Sequence, residues 1–208
     1  MEYSYTFPAG AQPRAVRLTR LRRAAFCYAV AGFGFLCFGF PFWFLHAVDA
    51  PASGSHHILP FVLLRDELLP TTSAFWLPLL SSVGLLGGGC SLWQAGEPAG
   101  FGPGRNRLVV PLAGAVCYFL SAWMILPFAP LGALLNGVGM LLVGASTLKA
   151  RVWTGWARFA PLLVGSFPFL FMYPLLLLTG HRPVAVIGLW GIPWVLLGLA
   201  AWQRSKQV

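Results

Sequence analysis

Long stretches without a charged residue alternate with short basic segments along this chain. The uncharged runs are 24–48, where His46 is the single titratable exception, then 68–96, 108–148, 159–180 and 183–203. A helix needs about 20 mostly apolar residues to cross a ~30 Å hydrocarbon layer, so each run is a candidate span. The run 108–148 is too long for one crossing, since at ~1.5 Å per residue it would extend about 60 Å. Pro127 and Pro130 lie near its middle. Proline lacks an N–H and restricts the residue before it, so this pair is expected to end one helix and begin the next. The pattern therefore predicts an all-α, polytopic transmembrane helix bundle. Its six spans fall near 24–47, 74–95, 108–127, 130–148, 158–179 and 183–202.

Composition agrees. Of 208 residues, 58% are hydrophobic and 9% charged, against about a quarter charged in soluble domains, and the mean hydropathy is +0.74. A water-soluble globule, a disordered chain and a disulfide-stapled mini-domain are all excluded. Fourteen Lys and Arg against five Asp and Glu give a net charge of +9. In a soluble protein that balance would suggest nucleic acid, but here the cations sort by loop. With the N-terminus in the cytoplasm, Arg14, Arg17, Arg20, Arg22, Arg23, Arg105, Arg107, Lys149, Arg151, Arg158, Arg204 and Lys206 lie inside, and Arg65 and Arg182 outside. This is the bias of the positive-inside rule, and both termini inside requires an even number of spans.

The expected organisation is a basic cytoplasmic segment (1–23), a six-span domain (24–203) with an outer loop at 49–73, and a cytoplasmic tail (204–208). The expected location is the cell inner (plasma) membrane. No nucleic-acid partner is expected; the basic segment reads as a short helix on an anionic inner leaflet, each cation adding about 1 kcal/mol of attraction. Arg22, Arg23 and Phe26 suggest a twin-arginine export signal, but the apolar stretch that follows is longer than a cleavable signal core. Cys27, Cys37, Cys90 and Cys117 all fall inside spans, where they are expected to act as buried small apolar fillers.

Internal similarity is weak. Gly89 to Gln94, Gly144 to Lys149 and Gly198 to Gln203 each place a glycine four residues before a bulky apolar residue and then a polar one. Gly32, Phe38, Phe40 and Pro41 also align with Gly165, Phe171, Tyr173 and Pro174. Three repeated helical hairpins are one reading; chance matching within a small membrane alphabet is the other. Gly84 and Gly88 form a GxxxG, and Gly137, Gly139 and Gly144 line the fourth span, both cues for close helix packing. Pro161, Pro168 and Pro174 are expected to bend or break the fifth span. The glycines of 95–104 lack the preceding strand and following lysine of a phosphate loop, and read as a linker.

Candidate chemistry is sparse. No ionisable group lies near the centre of a span, which argues against a proton-coupled or cation-coupled pump. Asn136 is the most polar deep residue; with Tyr173 it is a candidate substrate contact or interhelical contact, the interhelical hydrogen bond being the commoner use. His46, Asp49, His56, His57 and His181 all fall on the outer side, so imidazole and carboxylate ligands there are a candidate metal site. A haem held by His46 and His181 is a variant of that idea, but no cofactor is expected from the motifs. The seven Phe between 26 and 44 either line a groove for a lipid, quinone or isoprenoid tail or face lipid. Trp43, Trp76, Trp93, Trp190 and Trp202 near span ends read as interfacial belts.

The last third resembles the C-terminal part of small uncharacterised bacterial multi-pass inner-membrane proteins. The residues that carry the resemblance are Gly155, Trp156, Arg158, Pro161 and Gly165, followed by Gly188, Trp190, Gly191, Trp194 and Gly198. It implies a bacterial inner-membrane location and no defined activity. Three functions remain open: a non-enzymatic interaction, scaffold or regulatory membrane component, acting alone, as a homo-oligomer or with another membrane protein; a small transporter or channel for neutral or hydrophobic solutes; and a membrane metalloprotein or enzyme using the outer histidines and acids.

Overall fold

The computed structural model describes residues 14–44, 76–96, 106–121, 125–180 and 183–207. Among them the chain forms six helices and no strand. These are α1 (Arg14–Phe44), α2 (Trp76–Ala95), α3 (Val109–Leu120), α4 (Ile125–Ala150), α5 (Gly155–Thr179) and α6 (Val184–Ser205). Within the described residues, four helices are long and apolar enough to cross a membrane by length and composition: those at Arg14–Phe40, Pro127–Ala150, Gly155–Thr179 and Val184–Ser205. The described residues are thus all-helical, with the build of a membrane protein.

Consecutive helices pack antiparallel, and α6 returns to pack against α1, which closes the bundle. The inward stripe of α1 is Leu21, Ala24, Tyr28, Ala31 and Phe35, spaced three and four apart as one helix face requires. On α6 the corresponding stripe is Trp190, Trp194, Leu197 and Ala201. Where helices sit in lipid, apolar burial gives no drive between them, and close backbone approach must replace it. The α1–α6 seam uses Ala25, Gly32 and Gly39 against Gly198, Gly191 and Gly188. A methyl group added at Gly191 would overlap the Gly32 carbonyl. Much of the phenylalanine of α1 is outward-facing bulk: Phe26, Phe33, Phe40 and Phe44 are exposed along one outer face, while Phe35 is buried.

Several expectations need correction. Residues 14–23 are not a separate surface helix; they are the first turns of α1, continuous with the apolar part. The break between α3 and α4 comes earlier than the proline pair. The Ser121 N–H caps α3 on the Cys117 carbonyl at 2.8 Å, and α4 begins at Ile125, so Pro127 and Pro130 lie within α4. Pro127 lies in the first turn, where its N–H would have no partner, whereas Pro130 lies inside the helix. The four cysteines are free, and none is buried: Cys90 is exposed and the others are partly exposed. Trp190 is fully buried rather than interfacial.

The fifth helix is broken as expected. It consists of a 3-10 turn (Gly155–Phe159), an α-helical piece (Ala160–Phe167), a π-helical turn (Pro168–Met172) and a second α-helical piece (Tyr173–Thr179). Pro161, Pro168 and Pro174 each occupy the first or second position of a piece, so the prolines mark the joins between the pieces. The segment of α1 that aligns with this region in sequence is an uninterrupted α-helix. Gly180, at φ 67°, ends α5 with its N–H bonded to the Leu176 carbonyl at 2.9 Å, a left-handed cap that glycine adopts without strain.

Candidate functional site

The centre of the bundle is aromatic. Tyr28 of α1 stacks on Trp194 of α6 with centroids 5.5 Å apart. Trp194 meets Trp190 at 5.5 Å, and Trp190 meets Phe35 at 5.5 Å and Tyr118 of α3 at 5.8 Å. Such pairs contribute about 0.5–1.5 kcal/mol each beyond the area they bury. The five rings form one continuous cluster across three helices, face to face at Tyr28 and Trp194 and tilted elsewhere.

Two indoles meet this interior differently. Pro168 has no N–H to offer the Val164 carbonyl one helical turn before it. The Trp190 indole N–H fills that place, donating to the Val164 oxygen at 3.0 Å from the neighbouring helix. By contrast the Trp194 indole N–H is buried with no hydrogen-bond partner among the described residues. A third indole, that of Trp43, donates to the Ala185 carbonyl at 3.0 Å and ties the end of α1 to the start of α6. None of these roles is visible from composition. The spacing of Pro168 after Val164 does mark an acceptor in need of a donor, but not which residue supplies it.

Asn136 is 1% exposed on α4, and its side-chain amide donates to the Gly132 carbonyl of its own helix at 2.9 Å. The expected interhelical hydrogen bond is therefore replaced by interhelical packing. A Cβ on Gly114 of α3 would lie 2.5 Å from the Asn136 amide nitrogen, so the α3 backbone rests on this side chain. Tyr173 does bridge helices, its hydroxyl donating to the Pro130 carbonyl of α4 at 2.8 Å. The structure thus places Asn136 on the α3–α4 contact and Tyr173 on the α4–α5 contact, and does not bring them to one site.

His46, Asp49, His56, His57 and His181 lie outside the described residues, as do the outer loop at 49–73 and the haem pair His46 and His181. Among the described residues no three His, Cys, Asp or Glu side chains come together.

The antiparallel packing gathers the charge at one end. Arg14, Arg17, Arg20, Arg22 and Arg23 open α1, Arg107 precedes α3, Lys149 and Arg151 close α4, Arg158 opens α5, and Arg204 and Lys206 close α6. All eleven described cations lie there, and the described residues include no Asp or Glu. Arg20 donates to the Gln94 carbonyl at the end of α2, and Arg107 donates to Ser146 Oγ on α4. Arg22 lies over the Trp202 ring with its guanidinium carbon 5.7 Å from the centroid, a cation–π contact that holds α1 to α6 at the rim. No family, no curated protein and no solved structure matches the chain.

Proposed function

We propose that the chain is a six-span inner-membrane protein with both termini in the cytoplasm, and that it acts as a non-enzymatic interaction, scaffold or regulatory component of that membrane. The topology is supported by the eleven cations gathered at one end of an antiparallel bundle, the distribution that cytoplasmic loops carry. The same end then faces the anionic inner leaflet. The observation that carries the functional reading is the aromatic cluster of Tyr28, Phe35, Tyr118, Trp190 and Trp194, which fills the middle of the bundle where a solute path would run. A scaffold needs a rigid interior and a varied surface; it needs no path.

A small transporter for neutral or hydrophobic solutes is the second reading, favoured by the π-helical turn of α5, because broken helices are the moving parts of many transporters. Two measurements separate the readings. Native-membrane extracts resolved without denaturation should show a defined assembly of fixed stoichiometry larger than the chain. Proteoliposomes should pass small neutral solutes no faster than protein-free liposomes. Permeation above that background would sink the scaffold reading in favour of transport. Reporter fusions at residues 60, 100 and 208 test the topology, with activity of the exported reporter expected at residue 60 alone.

A further inference from the structure

The two halves of α5 are held differently. On the side of the π-helical turn nearer the basic end, Val164 is fully buried and its carbonyl accepts the Trp190 indole N–H from α6. A Cβ on Gly165 would lie 2.5 Å from the Leu141 nitrogen of α4. Within the turn the Phe169 ring rests on Gly137 of α4, 2.7 Å from where a Cβ would sit. This part of α5 is clamped between two neighbours. Beyond the turn no residue of Tyr173–Thr179 is buried, and Leu177 and Leu178 are 83% and 82% exposed, the most exposed large apolar side chains among the described residues. The Tyr173 hydroxyl, donating to the Pro130 carbonyl at 2.8 Å, joins this piece to α4.

The joint between the halves has a weakened backbone. Across it the Tyr173 N–H bonds to the Pro168 carbonyl, five residues back, one residue more than an α-helical turn spans. The ordinary ladder also lacks a rung on either side: Pro168 has no N–H for the Val164 carbonyl, and Pro174 has none for the Leu170 carbonyl. Trp190 fills the first gap from α6. Leu170, at the second gap, is among the exposed residues. Helices kink where the ladder is interrupted by proline or a π-turn, and segments with few buried apolar contacts open at the least cost. Both conditions meet at this one place in α5.

We propose that the π-helical turn is a hinge, about which Tyr173–Thr179 swings away from α4 as a unit while Ala160–Phe167 stays fixed, and that the hydrogen bond from Tyr173 to Pro130 is the latch of the closed position. A hydrogen bond between membrane helices is weak enough to break and re-form, and hinge motions of this kind run over microseconds to milliseconds. Opening leaves the Tyr28, Phe35, Tyr118, Trp190 and Trp194 cluster in place, because none of its rings belongs to α5. The hinge is argued from packing within the bundle and so holds under either functional reading.

Pulsed electron–electron double resonance on the full chain in phospholipid nanodiscs tests this. The four native cysteines, none of them buried, are replaced by alanine. Nitroxides are attached through Val83→Cys paired with Leu178→Cys, or through Val83→Cys paired with Leu163→Cys. All three positions are exposed, and α2, which packs on α1 and α3, lies across the bundle from α5. The pair ending at residue 163 should give one narrow distance distribution, and the pair ending at residue 178 a broad or double-peaked one. Tyr173→Phe should raise the ratio of open to closed distances at residue 178 about two- to tenfold, the factor that loss of one hydrogen bond brings, and leave the distribution at residue 163 unchanged. That unchanged distribution also shows that the variant is folded. Narrow distributions at both positions, with and without Tyr173→Phe, would make α5 a rigid rod and overturn the hinge. Equal broadening at both positions would overturn it in favour of a loose bundle, and a broad distribution at residue 178 that ignores Tyr173→Phe would overturn the latch.

Discussion

Replacing Trp190 by Phe removes the single indole N–H that reaches the Val164 carbonyl, at a position fully shielded from the surroundings. The carbonyl has no helical donor because the residue four places on is Pro168, so the substitution leaves a buried acceptor unpaired at about 1–3 kcal/mol. Losing part of the ring adds a packing loss of similar size. The two contributions separate in a double-mutant cycle. Pro168→Ala restores a backbone N–H one turn after Val164, and the carbonyl then has a donor of its own. Trp190→Phe should therefore cost about 1–3 kcal/mol less in the Pro168→Ala background than in wild type, because only the packing loss remains. Unfolding by SDS in mixed micelles, followed by far-ultraviolet circular dichroism, measures all four corners without relying on the tryptophan that is being removed. Equal penalties in both backgrounds would refute the claim that the indole substitutes for the missing amide.

Two further substitutions test how the helices are held together. Gly32→Ala places a methyl group 2.5 Å from the Gly191 carbonyl and 2.7 Å from the Val195 nitrogen; overpacking of about 1–3 kcal/mol, offset by about 1 kcal/mol of helix propensity, should leave the variant less stable in the same SDS titration. Gly87→Ala meets only the movable Cys27 sulfur at 3.0 Å, gains the same propensity, and should be neutral or stabilising, so equal behaviour of the two variants would remove the glycine seam as an explanation. Tyr173→Phe loses the 2.8 Å bond to Pro130, and since that carbonyl keeps its place in the α4 ladder the cost should be about 0.5–1.5 kcal/mol; a loss beyond about 3 kcal/mol would show that the Tyr173 hydroxyl organises more than one contact.

Much of this architecture was legible in the sequence because uncharged length and basic punctuation are read independently of tertiary packing. All six helices overlap the predicted runs, although α1 starts well before its run, at Arg14, and the proline-broken fifth helix is recognisable from Pro161, Pro168 and Pro174 alone. The error at Pro127 and Pro130 has a physical cause. Pro127 suits the first turn of α4 and Pro130 is accommodated inside it, so a proline pair does not by itself mark a break between two helices. The cysteines were assigned to the interior by residue type, whereas in a membrane bundle an apolar residue facing lipid is as well placed as one facing the core. The same ambiguity hides Trp190: position in a span suggests an interfacial ring, whereas its ring packs among Phe35, Tyr118 and Trp194 and its N–H meets the acceptor left by a proline on another helix. Asn136 was correctly placed deep in the bundle, but its amide bonds within its own helix, a choice that depends on how closely Gly114 brings α3.

Proline and tryptophan in this bundle form a complementary pair of devices. Each proline removes an amide hydrogen from a helix, and in an apolar interior the carbonyl left behind needs a donor that neither water nor lipid can supply. Tryptophan suits this task because its ring adds apolar bulk while its N–H is a donor without an accompanying acceptor. Trp190 serves Val164 in this way; the Trp43 indole also reaches a backbone carbonyl, that of Ala185 on α6, but there the residue four places on is Leu189 and no proline is involved. Trp194 has the ring without the acceptor. Its position is therefore set by stacking on Tyr28 and Trp190, and the unpaired N–H is a cost carried by the aromatic centre. That difference predicts an ordering: between two buried tryptophans one helical turn apart, replacement by Phe should be tolerated better at Trp194 than at Trp190, because only the latter strands a carbonyl when its N–H is removed.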